Sequence, residues 1–526
     1  MTDFIKEACP DPSSEKIFYF NRVFTAERVF GDIARVACFL KKSGVCKGDS
    51  VVICLPNIPQ AVTALYAINS VGAIANIVHP KIGADGLLKI VRESKTKWVF
   101  MFDRFIKKHR RTLAAENVKI ISCRLTDYMS GFMKTLRITE PVMCFYRNVI
   151  PYKAALAESG ETDVEVKGSD TAVYLHSSGT TGDSKTVVLS NYALNELAQN
   201  IFDTSGGKKT YKPNYGMLMI LPLFHGFGMG VCVHFTLFFG HIILQPSFNP
   251  KTTVRILKKR KVEMIPLVPN MLRKLIATKG FEGAHLRNLT HIYVGGDKLD
   301  AALFDKAKEI LVRNGSECLI CEGFGLSETA SVTNINIVEK KGGTVGRPIS
   351  RVEEKIIENG AEQPPMKEGD IYISSPSLMS GYLSGEASNI SVDANGVKWL
   401  DTGDRGYMDE DGFLYYRGRI KRLLKIGGVN IYPQEVEAVA CAIPEIVNSC
   451  AIRTTYNGKP ALKLLVITKN GVKLTPVLRQ KICSSVESHI LPYAVPRIIE
   501  SAEELRLTGM GKTDYRYYEE REKEKK

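Results

Sequence analysis

The chain has 526 residues, of which 44% are hydrophobic and 24% charged, and a formal net charge of +15. That length excludes one hydrophobic core and calls for roughly two to four domains, and the composition is that of an ordinary globular protein. The cations fall in short separated runs ("KKHRR" at Lys107–Arg111, "KKRK" at Lys258–Lys261, the terminal "REKEKK") with no aromatic-interleaved stripe, so a solvated basic surface or a polyanionic small molecule is expected and no nucleic acid.

The N-terminus, "MTDFIKEACP", carries no secretory signal, and the 12 cysteines are scattered. A reduced, cytoplasmic protein is the expectation. "AERVFGDIARVACFLKKSG" has helical spacing, "DSVVICLPN" reads as a buried strand, "IPQAVTALYAINSVG" as a helix and "AIANIVHP" as a strand. Alternation of this kind predicts parallel sheets covered by helices, and it returns around Val254–Leu275 and Ile292–Leu311. Met217–Leu244 is long and apolar enough to span a bilayer. It contains Pro222, His225, His234, His241 and several glycines, which suit buried strand, loop and helix better. Cys318 and Cys321 form one C-x-x-C with no second pair at metal spacing, so "ECLICEG" is expected to be a buried strand entering a loop.

From about Gly343 the texture changes to short strands and turns, as in "KEGDIYISSPSLMSGYL" and "DEDGFLYYRGRIKRLLKIGG". Hairpins in a β-rich subdomain are predicted. Beyond Arg422 the pattern is mixed: "PQEVEAVACAIPEI" helical, "ALKLLVITK" a strand, "PVLRQKICSSVESHI" helical. The expected fold is α/β: a large N-terminal domain (1–421) of parallel α/β sheets plus the β-rich subdomain, and a small α+β C-terminal domain (422–526). The charged tail after Tyr518 is expected to be disordered.

Five stretches share one ligand logic. "HSSGTTGDSKTVVLS", His176–Ser190, is a loop of Ser, Gly and Thr ending in Lys185. Glycines let successive N–H groups converge on an anion, and hydroxyls and an ammonium add to them. The loop misses the Walker A pattern, which needs glycine where Ser184 stands. A P-loop NTPase and a ligand-free surface turn both remain open on these residues alone. "EGFGLSETA" offers Phe324 as a stacking platform, flexible glycines, the Ser327 hydroxyl and the Glu328 carboxylate, a donor of the kind Mg²⁺ takes singly. "WLDTGDRG" places Asp404 in an expected tight turn, where a carboxylate can accept from ribose hydroxyls. "RGRIKRLLKIGG" combines Arg419 and Arg422 with paired glycines, and "LTGMGKTDYR" puts Lys512 in a glycine-bracketed loop.

In this order and spacing the stretches resemble the ANL superfamily of adenylate-forming enzymes, above all acyl-CoA synthetases, over Phe24–Arg516. "SSGTTGDSK" resembles its phosphate loop, "LPLFHGFG" its aromatic gate, "VGGDKL" its adenine-side turn and "FGLSE" its nucleotide element. "DTGD" resembles its ribose-binding element, "GRIKR…KIGGVNIYPQEVE" its hinge and "TGMGKTDYR" its lysine loop. The resemblance implies that Ser177, Ser178, Gly179, Thr180, Thr181, Gly182 and Lys185 hold the ATP phosphates. Gly295, Gly296, Phe324 and Gly325 would bound adenine. Ser327 would touch the α-phosphate, Glu328 would bind Mg²⁺, and Asp404 and Arg419 would hold the ribose. Lys512 would bridge the attacking carboxylate and the α-phosphate. His225 would stand between acyl pocket and thiol entrance, with Gly427 and Gly428 lining the path of coenzyme A after the C-terminal domain swings about Arg422. Departures are Ser184-Lys185-Thr186 for the usual Pro-Lys-Gly, Phe324 and Ser327 for Tyr and Thr, Asp297 in the adenine turn, and Arg422 at the hinge.

The implied reaction is ATP-dependent activation of a carboxylic acid as acyl-AMP and transfer to CoA, with an aryl-acid ligase or a carrier-protein-loading enzyme as alternatives. A non-catalytic nucleotide sensor is the rival outside catalysis. Gly226, Gly228 and Gly230 in "FHGFGMG", with Gly295 and Gly323, are expected to leave an open slot, walled by "IPLVPNMLRKL" with Met271 as filler. An apolar slot without an acidic anchor suits a medium- or long-chain fatty acid.

Overall fold

The computed structural model describes every residue except 130–146, 161, 178–184, 338–340, 386–388, 427–428, 491, 508–512 and 525–526. Two large sheets carry the N-terminal part. In one, Ser50–Cys54, Ile74–Ile77, Trp98–Phe102, Lys119–Cys123, Val149–Pro151 and Thr171–His176 run parallel. Val51, Val52, Ile53 and Cys54 are all buried, because helices cover both faces of such a sheet. Thr186–Ser190 then folds back on Thr171–His176 as an antiparallel neighbour. In the other sheet Glu15–Tyr19, His241–Leu244, Gly216–Met219, Met264–Leu267, His291–Val294 and Leu319–Gly325 run parallel. Val332–Ile335 and Arg347–Pro348 extend it antiparallel.

The helix Pro59–Ser70 is buried at every position but Ser70. Its apolar residues run all round the helix, a pattern that demands cover on every side, and it lies in the core cluster that draws on both sheets. Asp103–Ala115 is the opposite case. Ile106, His109 and Leu113 face inward while Lys107, Lys108 and Arg111 of the basic run are exposed, as helical spacing dictates. Met217–Leu244 resolves into the end of a buried strand, a π-helix over Phe227–Phe235, a short helix Thr236–Phe239 and a second strand. Among the described residues no helix is long and apolar enough to cross a membrane. Cys321 is buried in the strand Leu319–Gly325, as its apolar neighbours required, and no cluster of three metal-ligating side chains occurs among the described residues.

The β-rich region is an antiparallel sheet built on Glu353–Glu358, Gly369–Ser374, Lys398–Met408 and Leu414–Arg419. Only the first half of "KEGDIYISSPSLMSGYL" joins it. Gly381–Tyr382 crosses to pair with Val188 and Val187 in the first large sheet. Within the antiparallel sheet Glu354 sits between Val352 and Ile356 on one face, and its Oε2 accepts from Asn334 Nδ2 at 3.0 Å. Burial pushes its pKa up to about 8, against the pull of the Asn334 amide. A folded-state pKa above the unfolded value of 4.5 means that its stabilising contribution is complete below the unfolded pKa and is lost as pH rises to the folded one. Glu354→Gln is therefore expected to leave stability unchanged at pH 4 and to raise it by about 1–2 kcal/mol at pH 9. Urea unfolding at the two pH values checks it; equal effects at both would contradict it.

C-terminal to Arg422, a hairpin of Leu424–Ile426 and Val429–Ile431 precedes a three-stranded sheet of Ile446–Tyr456, Lys459–Thr468 and Ile498–Ser501. Helices Pro433–Cys441 and Pro476–His489 share its apolar core through Val436, Ala440, Ile482 and Val486. The tail differs from expectation: Tyr515–Glu524 is a helix. Glu522 accepts from Thr454 at 2.7 Å and pairs with the buried Lys463 at 3.0 Å, and Arg516 pairs with Glu520 one turn on. A tail that looks solvated in sequence packs back on the sheet because it supplies a second carboxylate, after Glu500 at 2.9 Å, to a buried lysine.

Candidate active site

A cavity of about 830 Å³ lies where strands of the second large sheet end, and residues of the C-terminal region help to line it. Clefts at the carboxyl ends of parallel strands are the usual ligand sites of open α/β sheets.

On one side, the strands Thr171–His176 and Thr186–Ser190 bring the two stems of the hydroxyl-rich loop together. The Ser177 N–H donates to the Lys185 carbonyl at 2.9 Å. Ser178, Gly179, Thr180, Thr181 and Gly182 lie outside the described residues. His176 ties the stems into the sheet, its Nε2 2.7 Å from Asn76 Oδ1 and its Nδ1 3.2 Å from Thr186 Oγ1. Burial lowers its pKa to about 4, so the ring is neutral at physiological pH and acts as a hydrogen-bonded strut. Ser327 and Glu328 form the short turn after Leu319–Gly325. The Lys185 ammonium stands 4.6 Å from the centroid of the Tyr382 ring, and the Tyr382 hydroxyl donates to Glu328 Oε1 at 3.1 Å.

On a second side, Phe324 is flanked by Tyr416, with ring centroids 5.4 Å apart. Gly295, Gly296 and Gly325 line the same stretch of wall, and Gly296 turns the chain with φ of 80°, a conformation that favours glycine. Asp404 is in a strand, Lys398–Met408, and not in the expected tight turn. The turn-like hydrogen bond belongs instead to Asp401, whose Oδ1 accepts from the Gly403 N–H at 2.9 Å. Asp404 faces Arg419 across the ladder. It is 1% exposed, accepts from the Tyr416 hydroxyl at 3.3 Å and lies 3.4 Å from Arg419 Nε. Burial opposes the Arg419 charge, but Asp404, Tyr416 and Glu328 outweigh it and hold the guanidinium above its ordinary pKa. Antiparallel pairing thus sets a buried anion behind a cation, and of the two only Arg419, with Asp401, Thr402 and Gly403 of the neighbouring strand, lines the cavity itself.

On the third side, the His225 and Phe224 rings are tilted against each other with centroids 4.5 Å apart, and the His79 ring lies 4.6 Å from Phe224. Ile201, Val231, Phe235, Cys321, Ile335 and Tyr293, which belong to one hydrophobic cluster, contribute the apolar arm of the lining. The Tyr293 and Tyr211 hydroxyls are 2.7 Å apart and buried. The glycines of "FHGFGMG" do not make the open slot that was expected. A Cβ on Gly226 would stand 2.5 Å from the Ala330 carbonyl oxygen, one on Gly230 2.7 Å from Leu197, and one on Gly228 would strike the Pro222 carbonyl. Their missing side chains allow the π-helix to pack closely against neighbouring backbone and Leu197, and the arm is shaped by the larger residues around them.

The C-terminal region lines the cavity with Gln434, Glu437, Leu507, Thr513 and Tyr515. Lys512, Gly427 and Gly428 lie outside the described residues. Arg422 is buried within this region. It pairs with Glu437 at 2.8 Å, donates to the Ala451 carbonyl at 3.2 Å and lies 3.4 Å from the centroid of the Tyr515 ring. Glu437 and Tyr515 fall within the hinge and lysine-loop stretches but were assigned no role there, and Tyr382 and Tyr416 belong to no motif read from the sequence. The alternation Asp404–Gly406 opposite Tyr416–Arg419 held a signal for Tyr416, whereas Tyr382 had none.

The stems of the hydroxyl-rich loop, the tilted rings of Phe324 and Tyr416, and the buried Asp404 carboxylate beside the half-buried Arg419 guanidinium fit a nucleotide-binding enzyme whose cavity also carries an apolar arm. The chain belongs to the AMP-binding enzyme family, which matches residues 6–383, and the C-terminal domain of that family matches residues 435–512. It is 28% identical to the long-chain-fatty-acid–CoA ligase of Bacillus subtilis (strain 168), over 95% of this chain and 90% of the relative. It is 29% identical to the probable CoA ligase CCL5 of Humulus lupulus, over 86% and 80%. Among solved structures, ATP-bound MatB from Rhodopseudomonas palustris aligns with a TM-score of 0.84 at 20% identity, over 99% of this chain and 98% of that one. The anthranilate CoA ligase AuaEII in complex with anthranoyl-AMP aligns at 0.82 and 21%, over 98% and 96%. The protein is an adenylate-forming enzyme of the acyl-CoA synthetase type.

Proposed function

We propose that the protein is an ATP-dependent acid–CoA ligase that activates a medium- or long-chain fatty acid as its acyl-adenylate and transfers the acyl group to CoA. The observation that carries the choice of acid is the arm of Ile201, Val231, Phe235, Cys321 and Ile335, which bears no charge. The full-length similarity to a long-chain-fatty-acid–CoA ligase supports it.

A carboxylate is a poor acyl donor because oxide is a poor leaving group. One of its oxygens attacks the α-phosphorus of ATP, the bond to the β-phosphate breaks, and pyrophosphate leaves. The CoA sulfur then attacks the acyl carbonyl and AMP leaves. In this reading Ser177 and Lys185, with Ser178, Gly179, Thr180, Thr181 and Gly182, bind the β- and γ-phosphates. Phe324 and Tyr416 bound adenine with Gly295, Gly296 and Gly325, while Asp404 accepts from the ribose and Arg419 steadies that carboxylate. Ser327 touches the α-phosphate and Lys512 offsets charge developing on it. His225 divides the acyl arm from the thiol approach, which Gly427 and Gly428 line. Glu328 would hold Mg²⁺: one carboxylate facing the cavity fits an ion that takes its other ligands from phosphates and water, and the ion would supply charge neutralisation on the phosphates.

We place the division of the chain at 1–421 and 422–526. The contacts of Arg422 with Glu437, Ala451 and Tyr515 support a boundary at this residue.

Acid-dependent pyrophosphate exchange across saturated acids from acetate to palmitate, with benzoate and cinnamate beside them, tests the reading. Each buried methylene is worth ~0.8 kcal/mol, so kcat/KM is expected to climb about fourfold per carbon until the arm is filled. A best substrate of acetate size, or a preference for an aryl acid, would remove the fatty acid and leave the ligase. Exchange with no acid at all would remove both.

A further inference from the structure

Tyr382 stands at the meeting point of two groups that the reaction needs together. Its ring lies beneath the Lys185 ammonium at 4.6 Å, and its hydroxyl donates to Glu328 Oε1 at 3.1 Å. All three side chains line the cavity, with Ser177 beside them.

The backbone around Tyr382 is held to both partners. Gly381 and Tyr382 pair antiparallel with Val188 and Val187, the strand into which the phosphate loop exits. The Leu383 N–H donates to the Thr186 carbonyl and the Ser380 N–H to the Val188 carbonyl, both at 2.9 Å. At the other end the Met379 N–H donates to the Glu328 carbonyl at 2.7 Å. Residues 379–383 are thus a strap fastened at one end to the loop stem and at the other to the turn that carries Glu328. This explains why Gly381–Tyr382 leaves the antiparallel sheet that its sequence neighbours belong to.

The chemistry of the three groups follows from this placement. An ammonium and a carboxylate at one cavity attract each other, and a direct pair between them would take both away from a nucleotide. An aromatic ring gives the ammonium a seat through its quadrupole without neutralising it. A phenol O–H donated to a carboxylate fixes which oxygen points away.

Resting on the ligase reading, we propose that Tyr382 is a positioning residue. Its hydroxyl orients Glu328 toward the metal-bound nucleotide, and its ring holds Lys185 at the phosphate side.

The two contacts can be separated. Tyr382→Phe keeps the ring and removes the hydroxyl; Tyr382→Leu removes both. The readout is the affinity of the full-length protein for α,β-methylene-ATP by calorimetry, measured once with Mg²⁺ and once with EDTA. Tyr382→Phe is expected to weaken binding of the Mg²⁺ complex about tenfold, the scale of one hydrogen bond to a charged group, and to leave binding in EDTA unchanged. Tyr382→Leu is expected to weaken both. Transfer from supplied acyl-AMP to CoA is expected to stay at the wild-type rate in Tyr382→Phe. If the Phe variant binds the analogue as wild type does with Mg²⁺, or loses equally with and without it, the proposal is overturned. Should the Leu variant fail to fold, the Phe comparison decides alone. Wild-type protein that binds the analogue but performs no acid-dependent pyrophosphate exchange would overturn the ligase reading and leave the test of Tyr382 intact.

Discussion

Lys512→Ala is expected to lower acyl-adenylate formation by ~10²–10³, the effect of losing one donor to transition-state charge. Lys512 itself lies outside the described residues, but Leu507 and Thr513, the described residues on either side of it, pair with each other and line the cavity, as does Tyr515. In the proposed reaction it acts while negative charge gathers on the α-phosphate and has no part in thiol attack. Thioester formation from supplied acyl-AMP is therefore expected to proceed in the variant at close to the wild-type rate. The two half-reactions are measured separately, by pyrophosphate exchange and by CoA-dependent AMP release. A folded variant in which both fall by the same factor would show that the lysine serves binding or stability and not the adenylation step.

Arg422→Ala is expected to destabilise the C-terminal unit by about 3–5 kcal/mol, because it removes one partner of a buried ion pair and leaves the other. Glu437 is 2.8 Å from the guanidinium, and its remaining neighbours are the Ala451 N–H at 2.7 Å and the Tyr515 hydroxyl at 3.4 Å. Burial opposes the Arg422 charge, yet Glu437 and Tyr515 hold its pKa above the ordinary value, so the residue is charged and paired in the folded state. Limited proteolysis with urea unfolding reads the loss as early cleavage beyond residue 422. The double variant Arg422→Ala with Glu437→Gln is expected to recover part of it, since no uncompensated carboxylate is then left. A single variant within about 1 kcal/mol of wild type would mean that the pair is not a support of this unit.

Much of this protein was legible in its sequence. Alternating apolar strands such as Ser50–Cys54 and helices such as Pro59–Ser70 announced parallel sheets with covered faces, because burial on both sides needs apolar residues at every position. The hydroxyl-rich loop, "FGLSE", "DTGD" and the C-terminal lysine loop announced nucleotide chemistry, because phosphate, ribose and adenine each demand particular donors and acceptors within a few residues.

Tertiary structure alone decided the rest. Residues 226, 228 and 230 read as room for a substrate, yet their Cβ positions are filled by the Ala330 and Pro222 carbonyls and Leu197. A glycine in sequence does not say whether the space belongs to a ligand or to a neighbouring backbone. Asp404 read as a turn residue, and only strand register set it opposite Arg419 and under the Tyr416 hydroxyl. The tail after Tyr518 read as solvated until Glu522 met Lys463. Tyr382 carried no signal at all, since its value lies in touching Lys185 and Glu328 at once. Sequence determines what is coded locally, by side-chain period and by the chemistry of short loops. Contacts between residues that are not neighbours in the chain depend on register and close packing, which only the folded chain fixes.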